Sequence, residues 1–308
     1  MAHYNCILIG GGPAGLTAGL YACRGGLSTL LVEKLFVGGQ ITTTHLLENY
    51  PGFPEGVEGM QIGLLMQQQA ERFGLETAYE EVTSLDLSAD PKEVHLGNTV
   101  HTADTVILCM GAQPRLLGLP REEALRGQGV SYCATCDGAF FKGQPVAVVG
   151  GGDTAIEDAL YLSRMATKVY VIHRRDALRA SRILQQRLEE ADNVEMVWSS
   201  RVTAILGEDH VTGVTVEPVA GGEPRDLDIQ GLFIAVGTLP QTGLVEGQVT
   251  LEKGYIVTDE KMHTNLSGVF AAGDIRVTPL RQVVTAAADG AVAATAAVEY
   301  CLTHGEKK

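Results

Sequence analysis

One long segment occurs twice in this chain, and the repetition constrains the fold more than any other feature. The first copy, CILIGGGPAGLTAGLYACRGGLSTLLVEK, starts at Cys6, and the second, VAVVGGGDTAIEDALYLSRMATKVYVIHRR, starts at Val146. Each copy reads as a short apolar strand, a glycine turn, an amphipathic helix and a second apolar strand. That order is a βαβ unit with parallel strands. The repetition therefore predicts an α/β protein with two Rossmann-like units.

The glycine turns indicate what the two units bind. They read Gly10-x-Gly12-x-x-Gly15 and Gly150-x-Gly152-x-x-Ala155. Missing side chains permit a tight turn and let backbone N–H groups approach a pyrophosphate at a helix N-terminus. A purely structural turn is the alternative, but both motifs follow a predicted strand and open a predicted helix, as the binding motif requires. Two such turns predict two dinucleotides.

The two copies differ where the second strand ends, and the difference distinguishes their ligands. Glu33 aligns with His173, which Arg174 and Arg175 follow, with Arg179 one helical turn further on. A carboxylate accepts hydrogen bonds from a ribose 2′-hydroxyl, whereas arginines attract a 2′-phosphate. The first site therefore suits FAD or NAD, and the second suits NADPH. The alternative for the second segment is a solvated basic start of a helix.

The order of segments predicts that the second unit is inserted into the first. A strand-like alternation follows each unit, and linkers are expected near residues 112–117 and 237–243. We predict a discontinuous first domain of residues 1–113 and 241–308, whose site suits FAD or NAD, and an inserted NADPH-binding domain of residues 114–240 that carries the cysteine pair described below. A length of 308 residues agrees with two domains.

Composition narrows the possible partners and location. The formal net charge is −14, and the basic residues are scattered apart from one short cluster, which argues against a nucleic-acid surface. No continuous apolar stretch is long enough to predict a membrane span. The N-terminus lacks the basic leading segment of a secretion signal, and glycines interrupt its apolar run. We expect a cytoplasmic protein.

Two of the six cysteines are spaced for redox chemistry. Cys133 and Cys136 are separated by two residues and followed by Asp137. A zinc half-site is the competing interpretation, but no second CxxC or nearby His pair would complete four ligands, so we expect no metal. Asp137 is the nearest proton acceptor for a reactive thiol, or else a cap of the following turn. The other four cysteines lie singly in apolar segments and are expected to pack in the core: Cys6, Cys23, Cys109 and Cys301.

Motifs along nearly the whole chain carry a family resemblance. GGGPAGLTA, GGQITTT, ENYPGFP, CATCDG, GGGDTAIE, HRRDALRA, GVFAAGDI and RQVVTAAADG occur in order. The chain thereby resembles the low-molecular-weight thioredoxin reductases of bacteria and plants. The resemblance implies that FAD contacts Gly10, Gly12, Pro13, Ala14, Gly15, Glu33, Gly39, Gln40, Asn49, Val82, Asp274, Arg281, Gln282 and Val283. It implies that NADPH contacts Gly152, Asp153, Thr154, His173, Arg174, Arg175 and Arg179.

The same resemblance implies a mechanism. Members of this family are homodimers in which NADPH reduces FAD and the flavin then reduces the active-site disulfide. Cys136 resembles the thiol nearest the flavin, Cys133 the thiol that attacks thioredoxin, and Asp137 the acid that protonates the leaving thiolate. The family rotates its inserted domain, so that nicotinamide and disulfide reach the flavin in turn.

Two other functions compete with thioredoxin reduction. One is a related flavin disulfide reductase or dithiol oxidase with another donor or acceptor, against which the arginines argue. The other is a redox-inert module that binds nucleotides without turnover, in which case CATC would be incidental. Phe140 and Phe141 follow the thiol pair and could be buried core or a docking patch for the partner.

Overall fold

The computed structural model describes residues 2–44 and 46–304. Residues 1, 45 and 305–308, which belong to the predicted discontinuous domain, lie outside the described residues. The strands are β1 (His3–Ile9), β2 (Thr29–Glu33), β3 (Glu76–Tyr79), β4 (Val82–Asp86), β5 (Lys92–Leu96), β6 (Thr99–Leu108), β7 (Ala112–Pro114), β8 (Val130–Ser131), β9 (Pro145–Gly150), β10 (Lys168–Ile172), β11 (Val194–Val197), β12 (Ser200–Leu206), β13 (Gly213–Pro218), β14 (Arg225–Asp228), β15 (Gly231–Ala235), β16 (Thr238–Pro240), β17 (Leu251–Glu252), β18 (Tyr255–Ile256) and β19 (Val269–Ala271). The helices are α1 (Pro13–Arg24), α2 (Gly59–Glu71), α3 (Ala134–Asp137), α4 (Asp153–Ser163), α5 (Arg182–Glu189) and α6 (Val283–His304). Short 3₁₀ helices cover Gly39–Thr43, Gly138–Phe141, Gly243–Val245 and Gly273–Ile275.

The chain divides into two compact units. Unit 1 comprises Met1–Gln113 and Leu239–Lys308, and unit 2 comprises Pro114–Thr238. The strands β7 and β16, at the points where the chain passes between the units, pair with each other. Each unit contains one copy of the repeated βαβ segment, and the predicted α/β class is confirmed.

Unit 1 is built on a sheet with strand order β3-β2-β1-β6-β5-β4. The strands β1, β2, β3 and β6 are parallel, whereas β4, β5 and β6 form an antiparallel meander. The strand β19 adds in parallel to the second half of β6. This arrangement places the carboxyl ends of β1, β2, β6 and β19 along one edge, where ligands bind in open α/β sheets.

Alternating residues of the central strands supply both faces of the unit 1 core. Cys6 and Leu8 pack with helices α1 and α6, whereas Ile7 and Ile9 pack with the meander. The helices α1 and α6 meet through small residues, because a methyl group at Gly290 would overlap the carbonyl oxygen of Ala14. The close approach holds the first glycine turn against the C-terminal helix.

Unit 2 contains a five-stranded parallel sheet, β11-β10-β9-β15-β8, and a separate antiparallel sheet, β12-β13-β14. The helices α3, α4 and α5 pack on one face of the parallel sheet, and apolar residues of the antiparallel sheet cover the other. The parallel sheet carries the second glycine turn after β9 and the cysteine pair after β8. Both predicted sites of this unit therefore follow carboxyl ends of its parallel strands.

The four single cysteines are free thiols in this structure. Cys6 and Cys109 are buried, and burial raises the pKa of the Cys6 thiol to about 12, so this thiol stays protonated and unreactive. Cys23 and Cys301 are half-buried, and burial raises the pKa of Cys301 to about 11. Across the described ranges, no helix is both long and apolar enough to cross a membrane.

Candidate active site

The cysteine pair forms a disulfide bond at the start of a short helix. Cys133 follows the edge strand β8 and adopts an extended backbone conformation immediately before α3, and Cys136 lies in that helix. Their Cα atoms are 5.3 Å apart, within the range that a disulfide spans. Neither cysteine is fully buried. Both sulfurs are used in this bond, and in the described part of the chain no cluster of three or more potential metal ligands occurs.

The Asp137 carboxyl is held beside this pair by Ser131, a residue that was not predicted to belong to the site. The Ser131 hydroxyl donates to Oδ2 of Asp137 at 2.6 Å, and the backbone N–H of Cys133 donates to Oγ of Ser131 at 3.1 Å. Burial raises the pKa of Asp137, whereas the Ser131 hydrogen bond and the charge of Arg126 lower it. A carboxyl poised by opposing effects is suited to gain and lose a proton.

A second group of residues supports the segment before the disulfide. The Glu122 side chain is buried and accepts N–H groups of Leu117, Gly118 and Leu119 at 2.8–3.1 Å. Its Oε1 also accepts the Tyr132 hydroxyl at 2.8 Å. Burial, with the nearby Glu122 charge, raises the Tyr132 pKa, so the phenol stays neutral. These contacts fix the residue that precedes Cys133.

The first glycine turn has the conformation and open space expected of a pyrophosphate site. Gly10 has φ +106°, and a side chain there would meet the Cys109 carbonyl oxygen at 2.6 Å. Gly12 faces open space, because no described atom lies within 4 Å of a Cβ placed there. Oε2 of Glu33 accepts the N–H of Gly11 at 2.7 Å, so the carboxylate lies beside the turn. Gly39 approaches the Gly12 Cα closely.

The other residues predicted for FAD come from several elements of unit 1. Nδ2 of Asn49 donates to Oε1 of Gln282 at 3.0 Å, although 233 residues separate them. Gly273 and Gly290 both pack on Ala14. Val82 begins β4 and belongs to the apolar cluster that includes the ends of β1 and β2. Pro13 occupies the first turn of α1, and Val283 is the first residue of α6.

Asp274 and Arg281 interact electrostatically in unit 1. Burial raises the pKa of Asp274 to about 6, and the opposite charge of Arg281 counteracts that rise. The Arg281 guanidinium lies 4.3 Å from the centre of the Tyr255 ring, and its buried Nε has no hydrogen-bond partner among the residues described. A buried donor of this kind is costly unless a ligand supplies an acceptor. The observation fits a bound polar group at this position.

A buried ion pair fixes the backbone around Asp274. The Arg276 guanidinium donates to both oxygens of Asp289, at 2.7 and 2.9 Å. Oδ2 of Asp289 also accepts the N–H of Gly273 at 3.1 Å. Asp289 lies on α6, so this carboxylate ties the turn that carries Asp274 to the C-terminal helix. The segments GVFAAGDI and RQVVTAAADG are separate motifs in the sequence, and this connection between them was not predicted.

The second glycine turn is packed against the basic segment predicted to select NADPH. The His173 ring lies where a side chain on Gly151 would be, so only glycine fits there. The backbone N–H of Arg179 donates to the Gly151 carbonyl at 2.8 Å, and Oδ1 of Asp153 accepts the Ser181 N–H at 2.7 Å. Gly152 faces open space. The turn and the basic segment therefore form one continuous surface.

The basic residues differ in exposure. Arg174, Arg175 and Arg179 are exposed, and within the described ranges none of them pairs with a carboxylate. His173 is buried, and burial, assisted by Arg179 and Arg175, lowers its pKa, so the ring is neutral at physiological pH. Three unpaired guanidinium groups form a surface suited to a phosphate group. His173 instead packs beneath the turn.

The residues present therefore fit both dinucleotides. Each turn offers an open glycine at the start of a helix, where a pyrophosphate would lie. Unit 1 adds a carboxylate at the end of β2, as an unphosphorylated ribose requires, and unit 2 adds three arginines after β10. The thiol pair and the arginine-flanked turn lie in the same unit.

Comparisons with known proteins agree with this chemistry. The family model described as pyridine nucleotide-disulphide oxidoreductase matches residues 4–290. A thioredoxin reductase of Streptomyces clavuligerus is 49% identical over 300 residues, covering 96% of this chain and 93% of the relative. The crystal structure of thioredoxin reductase from Streptococcus pyogenes matches with a TM-score of 0.93 and 44% identity, over 98% of this chain and 99% of that one.

A more distant similarity concerns the electron donor. A ferredoxin-flavin thioredoxin reductase from Clostridium acetobutylicum is 29% identical, with a TM-score of 0.54, over 98% of this chain and 99% of that one. The thiol pair, the paired glycine turns and the full-length similarity lead to one conclusion. This chain belongs to the pyridine nucleotide-disulphide oxidoreductases and, within them, to the low-molecular-weight thioredoxin reductases.

Proposed function

We propose that this protein is an NADPH-dependent thioredoxin reductase, with FAD in unit 1 and with NADPH and the redox disulfide in unit 2. The observation that carries the proposal is the Cys133–Cys136 disulfide in the same unit as the arginine-flanked turn. FAD supplies the capacity to accept hydride from NADPH and to deliver two electrons to a disulfide. The chain's own residues supply binding, thiol exchange and proton transfer.

Thiol exchange in this proposal proceeds in two displacements. The Cys133 thiolate attacks the disulfide of oxidised thioredoxin, so a Cys133–thioredoxin bond forms and the thioredoxin disulfide breaks. Asp137 gives its proton to the thiolate that leaves. Cys136 then attacks Cys133, which restores the chain's disulfide and releases the second thiolate of reduced thioredoxin. The net reaction consumes NADPH and one proton and yields NADP⁺ and a dithiol.

Local geometry supports these roles. Oγ1 of Thr135 lies 3.4 Å from Sγ of Cys133, a position from which a hydroxyl can donate to a thiolate. The Ser131 hydroxyl binds the Asp137 carboxyl. The exposed Phe140 is a candidate contact for thioredoxin, whereas Phe141 packs edge-to-face on Phe233 with ring centres 5.4 Å apart.

The proposed homodimer rests on the family resemblance and on an apolar groove of unit 1. The groove lies between α1, α2 and α6, and its lining includes Leu20, Tyr21, Leu65 and Met66. Tyr21 and Leu65 are exposed. Apolar patches of this kind are commonly covered by another subunit. A second copy of this chain is the proposed occupant.

We also propose a cytoplasmic location. A relay that runs from NADPH to a dithiol operates in a reducing compartment, where unpaired cysteines such as Cys23 and Cys301 persist as thiols.

An anaerobic titration tests the donor, the cofactor and the acceptor together. The purified holoenzyme is titrated with NADPH and separately with NADH while the flavin absorbance is followed, and oxidised thioredoxin is then added. Bleaching by NADPH, a weak response to NADH and recovery with thioredoxin are expected. A flavin that NADPH does not reduce would contradict the donor and favour a ferredoxin-linked reaction, whereas bleaching without recovery would contradict thioredoxin as the acceptor.

Replacing one thiol separates the two half-reactions. Cys136→Ser removes the proposed electron acceptor, so NADPH should still bleach the flavin while thioredoxin reduction falls to background. Stopped-flow flavin absorbance and a thioredoxin assay measure the two steps. Cys301→Ser, at a half-buried single thiol, is the control and should retain turnover. Continued thioredoxin reduction by Cys136→Ser would remove Cys136 from the mechanism.

A further inference from the structure

The Ser131 hydroxyl lies between the Asp137 carboxyl and the backbone of Cys133. Its Oγ is 2.6 Å from Oδ2 of Asp137, 3.1 Å from the Cys133 nitrogen and 3.3 Å from the Cys133 carbonyl oxygen. The side chain is buried, with 4% of the residue exposed. A single hydroxyl therefore contacts both the proposed acid and the residue that attacks the substrate.

The donors and acceptors around Ser131 determine where its hydroxyl proton lies when Asp137 is ionised. A serine has one proton to donate and two lone pairs that accept. The carboxylate is the nearer and charged acceptor, so it takes the proton, and the weaker contact to the Cys133 carbonyl is not used. The Cys133 N–H occupies one lone pair. One lone pair of Ser131 is then left.

Ser131 can also form all of its hydrogen bonds when Asp137 is protonated. The acid O–H can donate to the remaining lone pair of Ser131, and the Ser131 proton can turn to the Cys133 carbonyl at 3.3 Å, which it shares with the N–H groups of Asp137 at 3.1 Å and Cys136 at 3.3 Å. Both lone pairs and the one proton of the serine are then used. The site accommodates either protonation state of Asp137 by rotation of one hydroxyl.

The backbone of Ser131 is well placed to hold this geometry. Ser131 ends β8 and pairs with Phe233 of β15 in the parallel sheet. Phe233 is fully buried, and Phe141 packs edge-to-face against it. The hydroxyl thus projects from the sheet, whereas Asp137 belongs to the short helix that carries the disulfide. Ser131 therefore connects the parallel sheet, through β8, to α3, the helix that carries the disulfide.

We infer that Ser131 is a positioning residue for thiol exchange, which holds the Asp137 carboxyl beside Cys133 and reverses its own hydrogen bond as Asp137 gains and loses its proton. This inference rests on the proposed role of Asp137 as the acid. It concerns a residue outside the CATCDG motif.

Ionisable groups other than Asp137 lie near α3 and could contribute to the pH dependence of thiol exchange. Arg126 lies before β8 and lowers the pKa of Asp137, and Glu122 binds the Tyr132 hydroxyl. The helix α4 packs on α3, and its Tyr161 lies against Gly138. Asp158 lies one turn before Leu162, which also meets Gly138, and burial raises the Asp158 pKa to about 7. Asp158 therefore requires a control.

The decisive measurement is the pH profile of kcat/KM for oxidised thioredoxin. In the wild-type holoenzyme, the rate should fall as pH rises through the pKa of Asp137, because the acid loses its proton. Ser131→Ala removes a hydrogen bond that lowers this pKa, so the falling limb should move about one pH unit higher. The rate on the plateau should drop about tenfold because the carboxyl is no longer held.

The variants distinguish the serine from the acid. Asp137→Asn should abolish the limb, and a limb that persists there would overturn the proposed acid itself. A limb that vanishes in Asp137→Asn but does not move in Ser131→Ala would overturn the role of the serine alone. Ser131→Thr retains a hydroxyl and should return the limb to its wild-type position.

Two controls address packing and the neighbouring acid. Ser200→Ala removes another buried hydroxyl of unit 2, which donates to the Trp198 carbonyl at 2.8 Å, and should leave the profile unchanged. In an Asp158→Asn background, Ser131→Ala must still move the limb, and loss of the shift would assign it to Asp158. If Ser131→Ala does not fold, Ser131→Val, which has the shape of Ser131→Thr without its hydroxyl, is judged by the same shift.

Discussion

At the residue scale, Arg175 is the most direct test of the proposed nucleotide selectivity. Its side chain is exposed after β10, and its carbonyl accepts the Ser199 N–H at 3.1 Å, which holds the backbone while leaving the guanidinium available. Arg175→Ala should weaken NADPH binding by about tenfold or more and leave NADH binding nearly unchanged, because only NADPH carries the 2′-phosphate. Flavin reduction at varied NADPH and NADH concentrations measures both effects.

Arg187 provides a matched control for that substitution. It is an exposed arginine of the same unit, in the last turn of α5. Arg187→Ala removes the same charge from the last turn of α5, outside the basic segment that follows β10. NADPH binding should therefore change little. An NADPH/NADH preference that is equal in Arg175→Ala and wild type would show that the basic segment does not select the 2′-phosphate.

At the element scale, the contact between α1 and α6 depends on Gly290. A methyl group there would overlap the Ala14 carbonyl and separate the helix that opens the first glycine turn from the C-terminal helix. Gly290→Ala should lower the free energy of unfolding by about 2 kcal/mol, although alanine has the higher helix propensity, and should weaken FAD retention. Urea unfolding and the flavin-to-protein absorbance ratio measure these changes.

Gly243 is the matching control in the same unit. It lies in a 3₁₀ helix, and no described atom lies within 4 Å of a Cβ built there. Gly243→Ala should change the free energy of unfolding by no more than about 0.5 kcal/mol. Equal stability of Gly290→Ala and Gly243→Ala would mean that α1 and α6 can separate without cost.

Secondary-structure elements differed in how clearly the sequence indicated them. The two βαβ units have strong apolar patterns and were predicted. No helix was predicted at α2, where only Gly59, Ile62, Gly63 and Ala70 are buried and the apolar face is correspondingly weak. Most helical stability in proteins comes from packing of an amphipathic face, so a helix with few buried side chains leaves only a weak pattern in its sequence.

At the scale of the whole molecule, the apolar groove of unit 1 predicts self-association. Leu65→Glu places a charge in the groove between α1, α2 and α6, so it should shift a dimer toward monomer by at least tenfold in dissociation constant. Sedimentation velocity of the holoenzyme measures the change. Val219→Glu, at an exposed apolar residue of unit 2, is the control and should remain dimeric.

The assembly prediction has two clear contrary outcomes. A wild-type protein that sediments as a monomer at all accessible concentrations would contradict the proposed homodimer. A dimer that Leu65→Glu leaves intact would place the interface elsewhere on the molecule.

Local sequence was sufficient for the α/β class, the repeated unit and the main chemical groups. A glycine turn or a CxxC pair is formed by residues close together in the chain, so spacing alone restricts its geometry. The Cys133–Cys136 bond is of this kind, because its ends are three positions apart in the sequence. The prediction that the basic segment after β10 binds a 2′-phosphate likewise rests on its position behind a strand.

Only the folded chain decided which distant groups meet. Asn49 meets Gln282 across 233 residues, and Asp289 on α6 binds Gly273 and Arg276 from another element. His173 is similar: the sequence grouped it with the arginines, but the fold buries its ring under Gly151. Such contacts depend on sheet order and helix packing, which bring together side chains that no spacing along the chain relates.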